Sequence, residues 1–204
     1  TVSALFIAFE GGEGAGKTLH CDLLEAWLVE QGVLVVRTRE PGGTPAGEVV
    51  RSVLLGKEFT GLNEWSEALL FAASRAEHVS RVIAPALSEG TTVVCDRFVD
   101  SSIAYQGVGR GLTVDRVREL NAWATGDLVP DVTVVVDVDP VIGLARVHDK
   151  DRLESEPLEY HRRVRQAFLD FATAEPHRYL VVDGSQDPQA AAREIRQRVS
   201  AVLN

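Results

Sequence analysis

The sequence predicts an α/β fold in which a five-stranded parallel sheet carries helices on both faces, and three observations predict it. Five short runs are almost wholly apolar, the mark of strands covered on both sides. Longer stretches with helical spacing separate them, so strand and helix alternate along the chain. The length, 204 residues, suits one domain or slightly more, and there is no internal repeat, linker or low-complexity segment. One domain over 1–204 is expected.

Leu5-Phe6-Ile7-Ala8-Phe9 reads as the first strand, followed by a Gly-rich turn and a helix over about 17–31 that Gly32 stops. Val33–Val36 is the second strand. Residues 64–89 are mostly helical, with Leu69, Leu70, Ala73 and Ala76 on one apolar face, and Gly90 ends them. Thr91-Thr92-Val93-Val94-Cys95 makes the third strand, Val132–Val138 the fourth and Tyr179–Val182 the fifth. Helices are expected near 113–125, 155–174 and 187–203. Right-handed crossovers then place the carboxyl ends of all the strands, and the loops after them, along one edge. Function is expected there.

Composition narrows the classes. Hydrophobic residues make up 45% and charged residues 25%, which is ordinary globular usage. A chain this long buries roughly 70% of its unfolded surface, so no disulfide or metal is needed for folding. No 18-residue apolar stretch can span a bilayer, and Thr1–Glu10 lacks the basic and apolar regions of a signal peptide. A cytoplasmic protein without a membrane partner is expected. The net charge of −9, from 30 acidic and 21 basic residues, argues against generic nucleic-acid binding. Cys21 and Cys95 suit a reducing compartment and lack zinc-ligand spacing. The five histidines show no metal spacing; His148, in the lid stretch, reads as a surface or capping residue, and Trp27, Trp65 and Trp123 read as packing residues.

Gly11-Gly12-Glu13-Gly14-Ala15-Gly16-Lys17-Thr18 fits G-x-x-x-x-G-K-[ST] between a strand and a helix, the context that a phosphate-binding loop requires. Its glycines let backbone N–H groups turn toward phosphate oxygens at the positive end of the next helix. Lys17 can reach the β- and γ-phosphates, and the Thr18 hydroxyl can ligate Mg²⁺. The fold is therefore expected to be of the P-loop NTPase type. No guanine-reading Asn-Lys-x-Asp segment and no ABC-type signature occur, which leaves a small kinase if a second substrate site exists.

Three further segments lie at strand ends: Arg37–Thr44, Asp96–Ser102 running on to Tyr105–Gly111, and Asp137–Pro140. An arginine beside a nucleotide site clamps an anionic acceptor bidentately. Asp96, after an apolar strand, stands where a magnesium-water carboxylate belongs.

These motifs together resemble bacterial thymidylate kinase over nearly the whole chain. The resemblance rests on Glu10–Thr18, Thr38–Thr44, Leu70-Phe71-Ala72-Ala73-Ser74-Arg75, Asp96-Arg97-Phe98, Ala104–Gly111 and Asp151-Arg152-Leu153-Glu154. It implies transfer of the γ-phosphoryl of ATP to dTMP, giving dTDP, with Mg²⁺, by a homodimer. It also implies roles. Gly11 to Thr18 would hold ATP, with Thr18, Asp96 and Glu40 at Mg²⁺ or its waters. Arg97, Arg39 and Arg51 would bind the dTMP phosphate, and Glu13 would meet the 3′-OH. Phe71 would stack on thymine, Arg75 would bond its O4, Ser102 and Gln106 would complete the base pocket, and Tyr105 would pack on the sugar.

The sequence departs from the family at Leu19, which replaces a polar residue after Thr18, and in its supply of a basic residue. A basic residue either lies inside the phosphate loop or comes from a lid; Gly14 takes the loop position here, so the lid should supply it. The stretch at about 146–154 is shorter than the family's arginine-rich lid, leaving Arg146, Lys150 and Arg152. Arg152 is expected at the transferring phosphoryl and Arg146 against adenine. The residues leave two alternatives open: another small P-loop kinase, and a nucleotide-binding switch without turnover.

Overall fold

The structure, a computed structural model, describes residues 4–203. Strands β1 (Phe6–Glu10), β2 (Val35–Arg39), β3 (Thr92–Asp96), β4 (Val132–Asp137) and β5 (Tyr179–Asp183) form one sheet in the order β2-β3-β1-β4-β5. All the pairings are parallel. Alternation along β1 sends Ile7 and Phe9 into one core and Phe6 and Ala8 into another, so both faces of the strand are covered.

Helices α1 (Lys17–Glu30), α2 (Pro45–Leu55), α3 (Glu64–His78), α4 (Ala84–Ser88), α5 (Val99–Ser102), α6 (Val114–Thr125), α7 (Pro140–Ala145) and α8 (Leu158–Ala174) lie between the strands, and α9 (Pro188–Leu203) follows the last of them. Helices α1 and α9 pack together, placing Leu24, Leu28, Ile195 and Val199 against one side of the sheet. On the other side, Val164 and Phe168 of α8 meet Tyr105 and Val135. The expected strands start within two residues of those found, and β2 runs three residues further than expected, to Arg39. Three helices were not expected from the sequence. In α2 the Thr44 hydroxyl accepts from Gly47 N and Pro45 takes the first turn, a start signal hidden behind Gly42-Gly43. The other two, α5 and α7, are too short to show a period. A π-helical turn, Val79–Ile83, joins α3 to α4, and another, Ile103–Gly109, follows α5.

On α3 the expected apolar face is only partly exposed. Leu69 and Ala73 point outward, while Glu67, Arg75 and His78 are buried. Leu70 and Ala76 are half-buried, and the buried face mixes Ala68, Phe71 and Ala72 with these polar residues. Trp123 on α6, expected in packing, is 84% exposed.

The register decides where function can sit. Phe9 lies beside Asp96, and Arg39 beside Asp96 on the other side, so β1, β2 and β3 end at one level. Strand β1 has β3 on one side and β4 on the other, so connections leave it in opposite directions and open a crevice at its carboxyl end.

Candidate active site

Residues 11–16 fill that crevice as a loop leading into α1. Two glycines are demanded by close backbone approach: a Cβ on Gly11 would stand 2.3 Å from the Val136 carbonyl oxygen, and one on Gly14 2.0 Å from that of Gly143. Gly14 also has φ +62. Gly16 caps α1 without any side-chain hydrogen bond, which leaves the first N–H groups of the helix aimed at the loop, the arrangement that holds phosphate. Lys17 is buried and donates from Nζ to the carbonyls of Gly11 (3.2 Å) and Gly12 (2.7 Å). Burial, then the Arg97 charge, lowers its pKa. The Thr18 hydroxyl donates to Asp96 Oδ2 at 2.7 Å.

The corner after β3 is the second half of the site. Arg97 has φ +72, an uncommon conformation for a residue with a side chain. The fully buried Glu10 holds this corner: Oε1 accepts from Phe98 N (2.9 Å) and Ser101 N (3.1 Å), and Oε2 from the Ser101 hydroxyl (2.6 Å). Burial, reinforced by the Asp100 carboxylate, pushes the Glu10 pKa up to about 7. Held this way, Arg97 donates to Gly11 O (3.0 Å), to Ser101 Oγ (3.2 Å) and to both Glu13 oxygens (3.0 and 2.9 Å). The Tyr105 hydroxyl donates to Glu13 Oε1 at 2.6 Å, and its ring lies 5.0 Å from the Arg97 guanidinium carbon. Burial alone would raise the Glu13 pKa. The charges of Arg97 and Lys17 outweigh burial and hold it at about 2.

A cavity of about 570 Å³ is lined by both halves. Its wall brings together Glu13 to Thr18, Arg39, Glu40, Arg51, Phe71, Asp96, Arg97, Ser102, Tyr105 and Gln106. Phe71 packs with Leu54 and Leu153. Arg51 donates to the Pro41 carbonyl (2.8 Å), and Arg39 pairs with Glu48 (2.8 Å).

Four expected site residues stand elsewhere or differently. Arg75 is buried beneath the wall, bonded to Glu40 (2.6 Å), Ser102 (2.8 Å), the Phe98 carbonyl (2.9 Å) and Asn121. Glu40, expected at a metal water, commits one oxygen to Arg75 and the other to His78 Nδ1 (2.9 Å). Arg152, expected at the transferring phosphoryl, is buried against Glu67 (2.7 Å) and the Leu54 carbonyl (2.9 Å). A buried carboxylate on α3 has captured it. Arg146 is exposed and reaches the carbonyls of Gly14 (3.1 Å) and Gly184 (3.4 Å), outside the wall.

Sequence reasoning missed the supporting layer. Three histidines, His20, His78 and His161, are buried, and His78 ties Thr38 (2.6 Å) to Glu40. Glu10, Glu67 and Asn121 stayed unassigned, and so did Asp151, Leu153 and Glu154, which reach the cavity wall. The Asp-Arg-Leu-Glu run signalled the last three, but only as a pattern. No group of three or more metal-binding side chains occurs among the described residues. The Thr18–Asp96 pair does fit Mg²⁺, which takes one or two protein oxygens and completes its shell with phosphate and water.

Comparison with known proteins fits this geometry. The thymidylate kinase family model matches residues 9–195. A thymidylate kinase of Cutibacterium acnes is 48% identical over 203 residues, covering 100% of both chains. One from Symbiobacterium thermophilum is 50% identical, over 98% of this chain and 94% of the other. The crystal structure of thymidylate kinase from Ehrlichia chaffeensis superposes with a TM-score of 0.82 at 37% identity, over 97% of this chain and 99% of that one.

Proposed function

The chain belongs to the thymidylate kinase family, and we propose that Lys17, Asp96 and Arg97 carry its reaction in the cavity at the carboxyl edge of the sheet. The reaction transfers the γ-phosphoryl of ATP to dTMP, giving dTDP, a step of dTTP synthesis. One observation supports the residue assignment: Arg97 and Tyr105, from the corner after β3, bond directly to Glu13 of the phosphate loop, and all three line one cavity with Lys17, Thr18 and Asp96.

The triphosphate of ATP lies in the loop from Gly11 to Thr18, with Lys17 turning from the loop carbonyls to its β- and γ-oxygens. Arg146, beside Gly14 and Gly184, lies on the donor side. Thr18 and Asp96 are the residues that would hold Mg²⁺, which when bound neutralises phosphate charge. On the acceptor side, Arg97 takes the dTMP phosphate with Arg39 and Arg51, and Glu13 exchanges Arg97 for the 3′-OH. Tyr105 closes the sugar face. Phe71 stacks on the base, whose edge meets Ser102 and Gln106. Arg75 acts from beneath, through Ser102. No covalent nucleophile is required, because phosphoryl transfer needs alignment and neutralised charge between two anions.

The stretch at about 146–154 acts as the lid, anchored by Arg152 on Glu67 rather than reaching the phosphoryl group. The whole chain acts as one unit. The outward face of α3, with Leu69 at 55% exposure, and Trp123 on the adjoining α6 support a homodimer joined through these helices. Both cysteines are free and buried, which supports the cytoplasm. Among the described residues no helix is long and apolar enough to cross a membrane.

The test is ADP release from ATP and Mg²⁺ with dTMP, dUMP, dCMP, dGMP, AMP and thymidine in parallel. Strong preference for dTMP is expected. Turnover with thymidine but not dTMP would overturn the acceptor-site assignment.

A further inference from the structure

Glu67 of α3 has no exposed surface and does not line the cavity. Its carboxylate receives Gln106 Nε2 (2.9 Å), Arg110 Nε (3.2 Å) and Nη2 (3.1 Å), and Arg152 Nη1 (2.7 Å). Burial would raise its pKa, but the bonds from Arg110 and Gln106 prevail and lower it, so the group is ionised and can only accept. The atom of Gln106 facing it is therefore the amide nitrogen, whatever the fit of the amide otherwise allows. Oε1 of Gln106 points the other way and takes no bond from the protein among the described residues, while Gln106 lines the cavity.

The neighbouring group is oriented by the same logic. Arg75 can only donate, so Ser102 Oγ accepts from it at 2.8 Å, and the hydroxyl proton of Ser102 is left for the cavity. The base end thus offers one acceptor and one donor. Thymine presents the complement, an N3–H and an O4. Cytosine presents the reverse, a bare N3 and an amino group.

We propose that Glu67 is a specificity-determining positioning residue: by fixing the Gln106 amide with its oxygen toward the base, it makes the site choose the N3–H of thymine over the unprotonated N3 of cytosine. The inference rests on the placement of the base at Ser102 and Gln106 proposed above. Glu67 touches neither substrate and acts through Gln106.

The test compares kcat and KM for dTMP and 5-methyl-dCMP, two acceptors with the same methyl group and nearly the same size. In Glu67→Gln the facing group can donate or accept, so the Gln106 amide is free to turn. The ratio of kcat/KM for dTMP over 5-methyl-dCMP is expected to fall by about tenfold or more, the effect of one buried polar mismatch. A ratio within about twofold of wild type, with both substrates losing equally, would overturn the proposal and leave Glu67 a structural anchor. Should Glu67→Gln not fold, Glu67→Asp keeps the charge for Arg110 and Arg152 while withdrawing it from Gln106, and the same ratio decides. Gln106→Leu separates the two layers of the argument. A large loss on dTMP places the base at Gln106 independently of Glu67, whereas unchanged dTMP turnover would remove that placement and the inference with it.

Discussion

Replacing Gly14 by alanine puts the phosphate loop's contact with α7 to a quantitative test. The new Cβ would stand 2.0 Å from the Gly143 carbonyl oxygen and 2.7 Å from its carbon. Carbon and oxygen ordinarily approach to about 3.3 Å, so loop or helix must give way by more than about 1 Å. The left-handed φ of +62 adds about 1–2 kcal/mol for any residue with a Cβ, and forced overpacking a further 1–3 kcal/mol or so. A loss of about 2–5 kcal/mol is expected, a large share of the roughly 5–15 kcal/mol that holds a domain together. Guanidinium unfolding followed by circular dichroism measures it, provided the slope m is unchanged, and calorimetric titration with ATP should show weakened binding. A loss below about 0.5 kcal/mol, the range of an indifferent surface change, together with intact ATP affinity would refute the reasoning. Gly143→Ala should behave alike, because its Cβ would meet the Glu13 carbonyl oxygen at 2.1 Å. It follows that Gly14→Arg loses stability and does not restore a basic residue to the loop.

Arg97→Ala should lower kcat/KM for dTMP by about 100-fold or more, as removal of a preorganised charge contact does, while ATP affinity changes little; near-normal dTMP kinetics would contradict the clamp. Because the Glu13 pKa is depressed from 4.5 to about 2, its contribution is full above about 4.5 and is lost as pH falls from there toward 2. That gap is worth about 3 kcal/mol, and unfolding free energies measured from pH 5 downward should show the loss in wild type and a flatter acid limb in Glu13→Gln. Leu69→Glu or Trp123→Glu should shift the protein to monomer in analytical ultracentrifugation, and an unchanged sedimentation coefficient would remove those helices from the interface.

What the sequence made legible was what is local in the chain. Each strand shows as a short, largely apolar run, and each starts within two residues of its expected place. The phosphate loop is contiguous, so its spacing alone carried it. The supporting layer is not contiguous. Arg152 reads as a lid arginine until Glu67, far away in sequence, is found to hold it, and Arg75 reads as a ligand contact until Glu40, Ser102 and Asn121 surround it. The face of α3 that carries Leu69 and Ala73 marks a different limit: periodicity reports which face is apolar, not whether this chain or a second copy covers it. Burial of Glu67 and His78 on the opposite face needed partners that only the tertiary fold supplies.

The closed pairing of Arg97 with Glu13 has a consequence for a site working amid abundant inorganic phosphate. A guanidinium left unopposed beside Lys17 would retain any small oxyanion that drifted in. Here the cation is already matched by a carboxylate, with Tyr105 bonded to the same oxygen. An intruding phosphate could reach Arg97 only by leaving Glu13 as a neighbouring negative charge with Tyr105 alone to accept from. On the proposed placement, dTMP avoids that conflict, because the sugar that carries its phosphate also brings a hydroxyl for the displaced carboxylate. The resting ion pair therefore admits a ligand by its completeness, phosphate and hydroxyl together, and turns away the fragment that carries only one of them.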